Sequence, residues 1–262
     1  MKRHVRPLIA SALVLSAPIA GSAAQSTPAG DTVRIEVGSP AIKGRMYAPH
    51  KARVVVRMPD DSVVRSEWTN TLTFGDSAGR PVQRWVSAGV QRPQQGEPVS
   101  WEIHQNYDRE TLAPYGYYFK TSRGAEVRLT IDGRRVRGTK RVSANAQVEE
   151  VDVTLPAPAF MQNASDLIPL AAGLREGTVM TAPMWHPQSN EFNVRVFVVL
   201  PQRNIDVEGK TWLAWPVEER EIDGERKLLA TWYLVEDKPY MVAGEVPLPG
   251  GGVRRMTEVL VP

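Results

Sequence analysis

Ser77 lies in "GDSAG" (75–79), which fits the G-x-S-x-G pattern of a serine nucleophile and also looks like a trypsin-type nucleophile loop. Either chemistry needs a particular setting. A nucleophile elbow demands a strand before the serine and a helix after it. Here "GRPVQRWV" follows, a proline and then strand alternation. A trypsin-type triad needs a histidine and an aspartate upstream. His50 and Asp60 or Asp61 exist, but the motif comes too early in the chain for two barrels to enclose it. A Gly- and Asp-rich hairpin turn accounts for these residues better. No catalytic residue is assigned.

Metal and acid–base chemistry find equally thin support. Past the first few residues the histidines are His50, His104 and His186, and none forms H-x-x-x-H or H-E-x-x-H. No metal ligand and no cofactor is assigned. The adjacent carboxylates Glu149–Glu150, Glu218–Glu219 and Glu236–Asp237 would point to opposite faces of a strand, so adjacency builds no catalytic dyad. They are expected to be exposed. "PGGG" (249–252) lacks a following helix or a G-K-[ST] signature and reads as a flexible turn. Arg134, Arg135, Arg137, Lys140 and Arg141 form a basic run in "DGRRVRGTKR". It reads as a solvated edge or, functionally, as a contact for anionic headgroups or another envelope polyanion. No aromatic residue interleaves it, which argues against single-stranded nucleic acid.

The elements that must position these residues are almost all strands. In "VSWEIHQNY" the apolar residues Val99, Trp101, Ile103 and Tyr107 are all odd-numbered, the period-two signature of a half-buried strand. Tyr115, Tyr117 and Phe119 alternate likewise, as do Ala125, Val127, Leu129 and Ile131. "DRETLAP" joins the first two of these strands, with Asp108 and Thr111 placed to bond local backbone. Asp132-Gly133 supplies a hairpin turn. The alternation places Trp101, Tyr107, Tyr117 and Phe119 on one concave face as candidate ligand-binding residues, with Tyr118 pointing away. A first meander covers about 31–153. Residues 156–177 lose the alternation, and a short helix is expected there, capped by Ser165 and ended by Gly173 or Gly177. A second meander covers about 190–262. The fold class is therefore mostly β, a curved antiparallel sheet with a short helical plug.

The chain starts with Lys2, Arg3 and Arg6, an apolar run from Leu8 to about Ala20, and Ser22-Ala23-Ala24. This reads as a secretory signal over 1–24, followed by one β-rich domain over 25–262. Of 32 Lys+Arg and 29 Asp+Glu, the leader holds three bases and no acid, which leaves 29 against 29. A neutral mature chain gives no case for a nucleic-acid partner. With no Cys there are no disulfides, so stability rests on a hydrophobic core. No later stretch is apolar enough to cross a membrane.

The order of "YDRETLAPYGYYF", "VTLPAPAF", "LIPLAAGL", "TWLAWPVEE" and "ATWYLVEDKPYMVAGEV" resembles a bacterial periplasmic family, domain of unknown function 3108, over roughly residues 65 to 262. That family is similar in architecture to the lipoprotein carriers LolA and LolB. The resemblance implies an incomplete barrel with a hydrophobic concave face able to hold an acyl chain or an apolar partner segment. It brings no catalytic residue. The chain departs from the carriers in having little helix to act as a lid and no N-terminal Cys. The expectation is a non-enzymatic periplasmic or secreted protein that binds an apolar small molecule, lipid or lipoprotein. The alternative is an envelope assembly module acting on other envelope proteins. N-terminal sequencing of protein recovered from its native envelope should find a start near Gln25. A chain still beginning at Met1 would overturn the export assignment.

Overall fold

The structure is a computed structural model that describes residues 32–58, 64–77, 79–223 and 226–262. The proposed leader (1–24) and Asp60 and Asp61 lie outside the described residues. The strands are β1 (Thr32–Arg34), β2 (His50–Arg57), β3 (Val64–Ser77), β4 (Arg80–Gln91), β5 (Val99–Asp108), β6 (Pro114–Thr121), β7 (Glu126–Asp132), β8 (Arg135–Arg141), β9 (Glu149–Thr154) and β10 (Phe160–Met161). A 3-10 turn (Gln162–Ala164) and helix α1 (Leu167–Ala172) follow. Then come β11 (Val179–His186), β12 (Glu191–Val199), β13 (Arg203–Val207), β14 (Lys210–Glu221), β15 (Leu228–Leu234), β16 (Met241–Pro247) and β17 (Val253–Leu260).

All of these strands belong to one curved, unclosed sheet. β2 through β9 pair antiparallel in sequence order, and β11, β12, β14, β15, β16 and β17 do the same, with β13 folded as a hairpin onto β14. β17 then pairs antiparallel with β2, so the two meanders are halves of the same sheet. At the far end β11 carries two short parallel additions: β1 against Val179–Thr181 and β10 against Met184–Trp185. The earliest described residues thus join the second half of the sheet rather than the first meander. Residues 155–159 carry the chain from β9 at one end of the sheet to β10 at the other.

Period-two alternation decides what lies inside. Strand register sets Glu258, Val54, Trp68, Gly89 and Trp101 side by side across five strands of the concave face. The next row is Asn70, Ser87, Ile103, Phe119 and Val127, and the one after it Leu72, Trp85, Gln105, Tyr117 and Leu129. The plug occupies the hollow of this curve. Five residues of α1, Leu167 to Ala171, are buried. Tyr47 donates its hydroxyl to the Leu167 carbonyl at 2.6 Å, and Lys43 N–H bonds the Ala171 carbonyl at 2.8 Å, so the loop before β2 clamps the helix. A six-residue helix is too short to hold itself in water. Gly173, with φ 94°, ends it as the sequence suggests. Ser165 does not cap it: Asp166 holds the N-cap position, without a side-chain cap bond, and the Ser165 hydroxyl turns to Glu219.

Two turns show the local chemistry. Asp108 Oδ1 accepts from the N–H groups of Glu110 and Thr111 at 2.9 and 2.8 Å and from the Thr111 hydroxyl at 2.8 Å, which closes the β5–β6 connector. At the β7–β8 hairpin Asp132 still pairs with Arg135, so the turn residues are Gly133 and Arg134, one step later than expected.

Gly89 sits in register between Trp68 and Trp101, whose rings meet above it with centroids 5.7 Å apart and planes inclined at 55°. A Cβ there would lie 2.2 Å from the Glu67 carbonyl oxygen and 2.3 Å from Trp68 Cβ. Backbone cannot yield as a flexible side chain can, so Gly89→Ala should cost about 1–3 kcal/mol, the usual range for overpacking. Gly75→Ala on the same hairpin meets only Val82 Cγ2 at 3.9 Å and should change stability by less than about 0.5 kcal/mol. Urea melts of the two variants check this pair of expectations.

Candidate ligand cavity

Where the plug meets the sheet, the interior is not filled. A cavity of about 260 Å³ lies between the concave face and the segment around α1. Trp68 (β3), Trp85 (β4), Trp101 (β5) and Trp232 (β15) wall it, joined by Ile103, Met241 and Met256. The plug contributes Gln162, Asn163, Ser165, Asp166 and Leu167. Asn70, Ser87, Gln105 and Glu258 add polar groups from the sheet itself.

These polar groups form two fixed systems. In the first, Asn70 Oδ1 accepts from the Trp68 indole N–H at 2.9 Å and from the Ser87 hydroxyl at 2.7 Å, and Asn70 Nδ2 donates to Glu258 Oε1 at 2.9 Å. In the second, Glu219 on β14 accepts from the Trp232 indole N–H at 3.0 Å and faces Arg195 across 3.6 Å. The indoles of Trp68 and Trp232 are thereby held in place by carboxylate-linked bonds. Trp85 packs edge-on against Tyr47 and His50, with ring centroids 5.7 and 5.6 Å away. Its indole N–H has no partner among the described residues, although the side chain is only 8% exposed.

Three carboxyl groups share this interior, and all are shifted toward the protonated form. Burial pushes Glu258 well above the ordinary carboxyl range; the Asn70 bond opposes this and the Asp166 charge adds to it. Asp166 is pushed up to about 7, by burial first and by the Glu219 charge second, against the backbone N–H groups of Asp166 and Leu167. Burial also raises Glu219, against the pull of Trp232, Arg195 and Ser165. Each is costly to ionise because charge in a low-dielectric interior loses its hydration.

The structure sorts the sequence-predicted residues sharply. Trp101, Tyr107, Tyr117 and Phe119 do share the concave face, and Tyr118 lies on the other side, between His104 and Arg128. Only Trp101 reaches the cavity wall. Tyr107 and Tyr117 are 0% and 3% exposed in packed core, and Phe119 packs against that core from its edge. The basic run has partners of its own. Arg135 pairs with Asp152 at 2.9 Å and Arg141 with Glu126 at 3.2 Å, while Arg137 reaches Asp152 at 3.8 Å. Arg134 and Lys140 donate to the carbonyls of Leu155 and Gln188 at 2.7 and 2.8 Å. Glu219 corrects the expectation that the paired carboxylates are exposed: it is 4% exposed while its neighbour Glu218 faces outward to Arg220.

Ser77 ends β3 and pairs with Arg80 at the start of β4, so the serine stands in a β-hairpin rather than on a strand-to-helix elbow. Asp76 accepts the Gly79 N–H at 2.7 Å to close that turn. His50 packs between Trp85 and Tyr240, His104 bonds Glu102, and His186 bonds Ser189. Among the described residues no group of three His, Cys, Asp or Glu is placed to hold a metal, and no helix is long and apolar enough to cross a membrane.

No family model matches the chain, and no curated protein matches it. Among solved structures, the chain is similar to a β-barrel-like protein of the domain of unknown function DUF1849 from Brucella abortus, at 11% identity and a TM-score of 0.46, over 81% of this chain and 95% of that one.

The raised carboxyls set a pH dependence. Between about pH 4, where carboxyls of the unfolded chain ionise, and about pH 7, the folded state keeps protons that the unfolded state has lost. Stability from this source is therefore fully present below about pH 4 and falls as pH rises through that window. Glu258→Gln keeps an oxygen for the Asn70 bond and removes the cost of ionisation. It should flatten the fall and melt above the parent protein at about pH 8. Thermal melts across this range check the sign. An unchanged slope would mean that Glu258 keeps an ordinary affinity for protons.

Proposed function

We propose that the protein is a non-enzymatic binding protein of the periplasm or extracellular space, and that it encloses a small amphipathic molecule between its concave sheet and its helical plug. One observation carries this reading. In a core that is otherwise packed, four indoles and a set of fixed polar groups surround an unfilled space. Apolar walls with a few oriented polar groups are the common form of a small-molecule site. At about 260 Å³ the space lies just below the usual range of about 300–1,000 Å³ for drug-sized ligands. That favours a compact molecule over the acyl chains or lipoprotein client implied by the resemblance to the domain of unknown function 3108 family. The hairpin setting of Ser77 fits a protein that binds without turning over.

A second reading, an envelope assembly module, has one observation in its favour. β9 ends the sheet and, among the described residues, pairs only with β8. Such an edge can accept a strand from another protein.

Titration with 2-naphthol, an uncharged two-ring fluorophore, separates the two. The cavity reading expects saturable binding that Trp101→Ala weakens by about tenfold, in line with the loss of one large aromatic wall. Tyr118→Ala, on the outer face, should leave affinity unchanged. Failure of the parent protein to bind, or equal affinity in both variants, would overturn the cavity reading and leave the sheet edge as the functional surface.

A further inference from the structure

We infer that the cavity is built for a small organic cation, an alkylammonium group. The inference rests on the cavity reading above and adds the chemistry of the occupant.

The first argument is the charge of the wall. Asp166 and Glu258 line the cavity, and no Lys, Arg or His does. Among the described residues neither carboxyl has an ion-pair partner. Glu258 is 3% exposed, and its hydrogen bond is to a neutral amide, Asn70 Nδ2. The one interior cation nearby, Arg195, is directed to Glu219, beyond Trp232. Buried carboxyl groups without a counter-ion are costly to ionise, and a bound cation removes that cost. An anionic ligand would add to it.

The second argument is independent of the carboxyls. Aromatic faces attract cations through their quadrupole, indole most strongly. Trp68 and Trp101 form an angled pair, with centroids 5.7 Å apart at 55°, and Trp85 and Trp232 complete the wall. Fixed indoles select a cation of low charge density, because a compact ammonium or metal ion keeps its water. A metal would also need a ligand cluster, and the described residues hold none.

The proton balance follows. Occupation by a cation favours the ionised forms of Asp166 and Glu258, so binding releases protons and tightens as pH rises. The other titratable groups facing Asp166 are Glu219 from the sheet, itself opposed by Arg195, and Tyr47 and Tyr107, whose hydroxyls burial keeps protonated.

The test compares choline with 3,3-dimethylbutan-1-ol, which replaces its charged nitrogen by carbon at nearly the same shape. Tryptophan fluorescence and calorimetry read binding. Choline should bind at least about tenfold more tightly than the alcohol, the ratio expected when a desolvated cation–π contact contributes. Raising pH from about 6 to about 8 should tighten choline and leave the alcohol unchanged. Glu258→Gln and Asp166→Asn should each weaken choline by about tenfold while preserving 2-naphthol binding. Equal affinity for choline and the alcohol, or no choline binding in a protein that still binds 2-naphthol, overturns the cation inference and leaves the cavity reading intact. Failure of all three ligands overturns both.

Discussion

The pairing of β17 with β2 is the contact on which the architecture depends. It joins residues near the C-terminus, Arg255 to Leu260, to Ala52 through Arg57 near the start of the described chain. Without it the molecule would be two meanders, each with one apolar face and a raw edge. With it both faces curve around a shared interior, and a pair of edges disappears. The pairing also assembles the cavity. Glu258 arrives beside Val54 and within bonding distance of Asn70, 188 residues away in sequence, and Met256 arrives beside Val56. Contacts of such separation are costly in loop entropy and form late and slowly. The site can therefore exist only once the whole sheet is formed.

The plug is the counterpart of that curvature. A sheet bent this far leaves a hollow that its own side chains do not fill. One six-residue helix with a 3-10 turn before it packs into that hollow. Leu167, Ile168, Leu170 and Ala171 pack against residues from both meanders. The geometry of the plug then determines where space remains. Its apolar side is spent on core packing, while Ser165 and Asp166, at the entry to the helix, face the aromatic wall. The same few residues sit in the hollow of the unclosed sheet and bring polar groups to the cavity.

Much of the fold was legible because period two is a strong signal. Trp101 and Tyr107 share parity on β5, Tyr117 and Phe119 share it on β6, and the observed register puts all four on the concave face. The short edge additions β1 and β10 were not legible, since two or three residues carry no periodicity. β11 was missed because Pro183 interrupts "VMTAPMWH" and removes one backbone donor, a residue that sequence reasoning takes as a strand breaker. The site was less legible than the fold. Aromatic residues alternate identically whether they line a space or fill one, so Tyr107 and Tyr117 looked like Trp101. Trp68, Asn70 and Leu72 share an inward parity on β3 that could have been read, but a polar residue in such a series looks like an outward one. The parity rule did contain the answer for Glu218–Glu219: neighbours on a strand face opposite ways, so on a strand inside the sheet one of the two had to face inward.

Polarity inside a curved sheet of this size needs a physical reason. Gln83 is fully buried with neither amide atom bonded among the described residues, Trp85 keeps a free indole N–H, and Asp166, Glu219 and Glu258 crowd three carboxyls into the same interior. A core selected for stability alone would replace such groups with apolar residues of similar volume, which is often neutral or stabilising for buried polar and ionic groups. Of these groups, Asp166 and Glu258 line the space walled by indoles, and neither has an ion-pair partner among the described residues. The cost of such polar groups is tolerable because the rest of the interior, from Ile35 through Phe160 to Phe197, is packed without exposure to water.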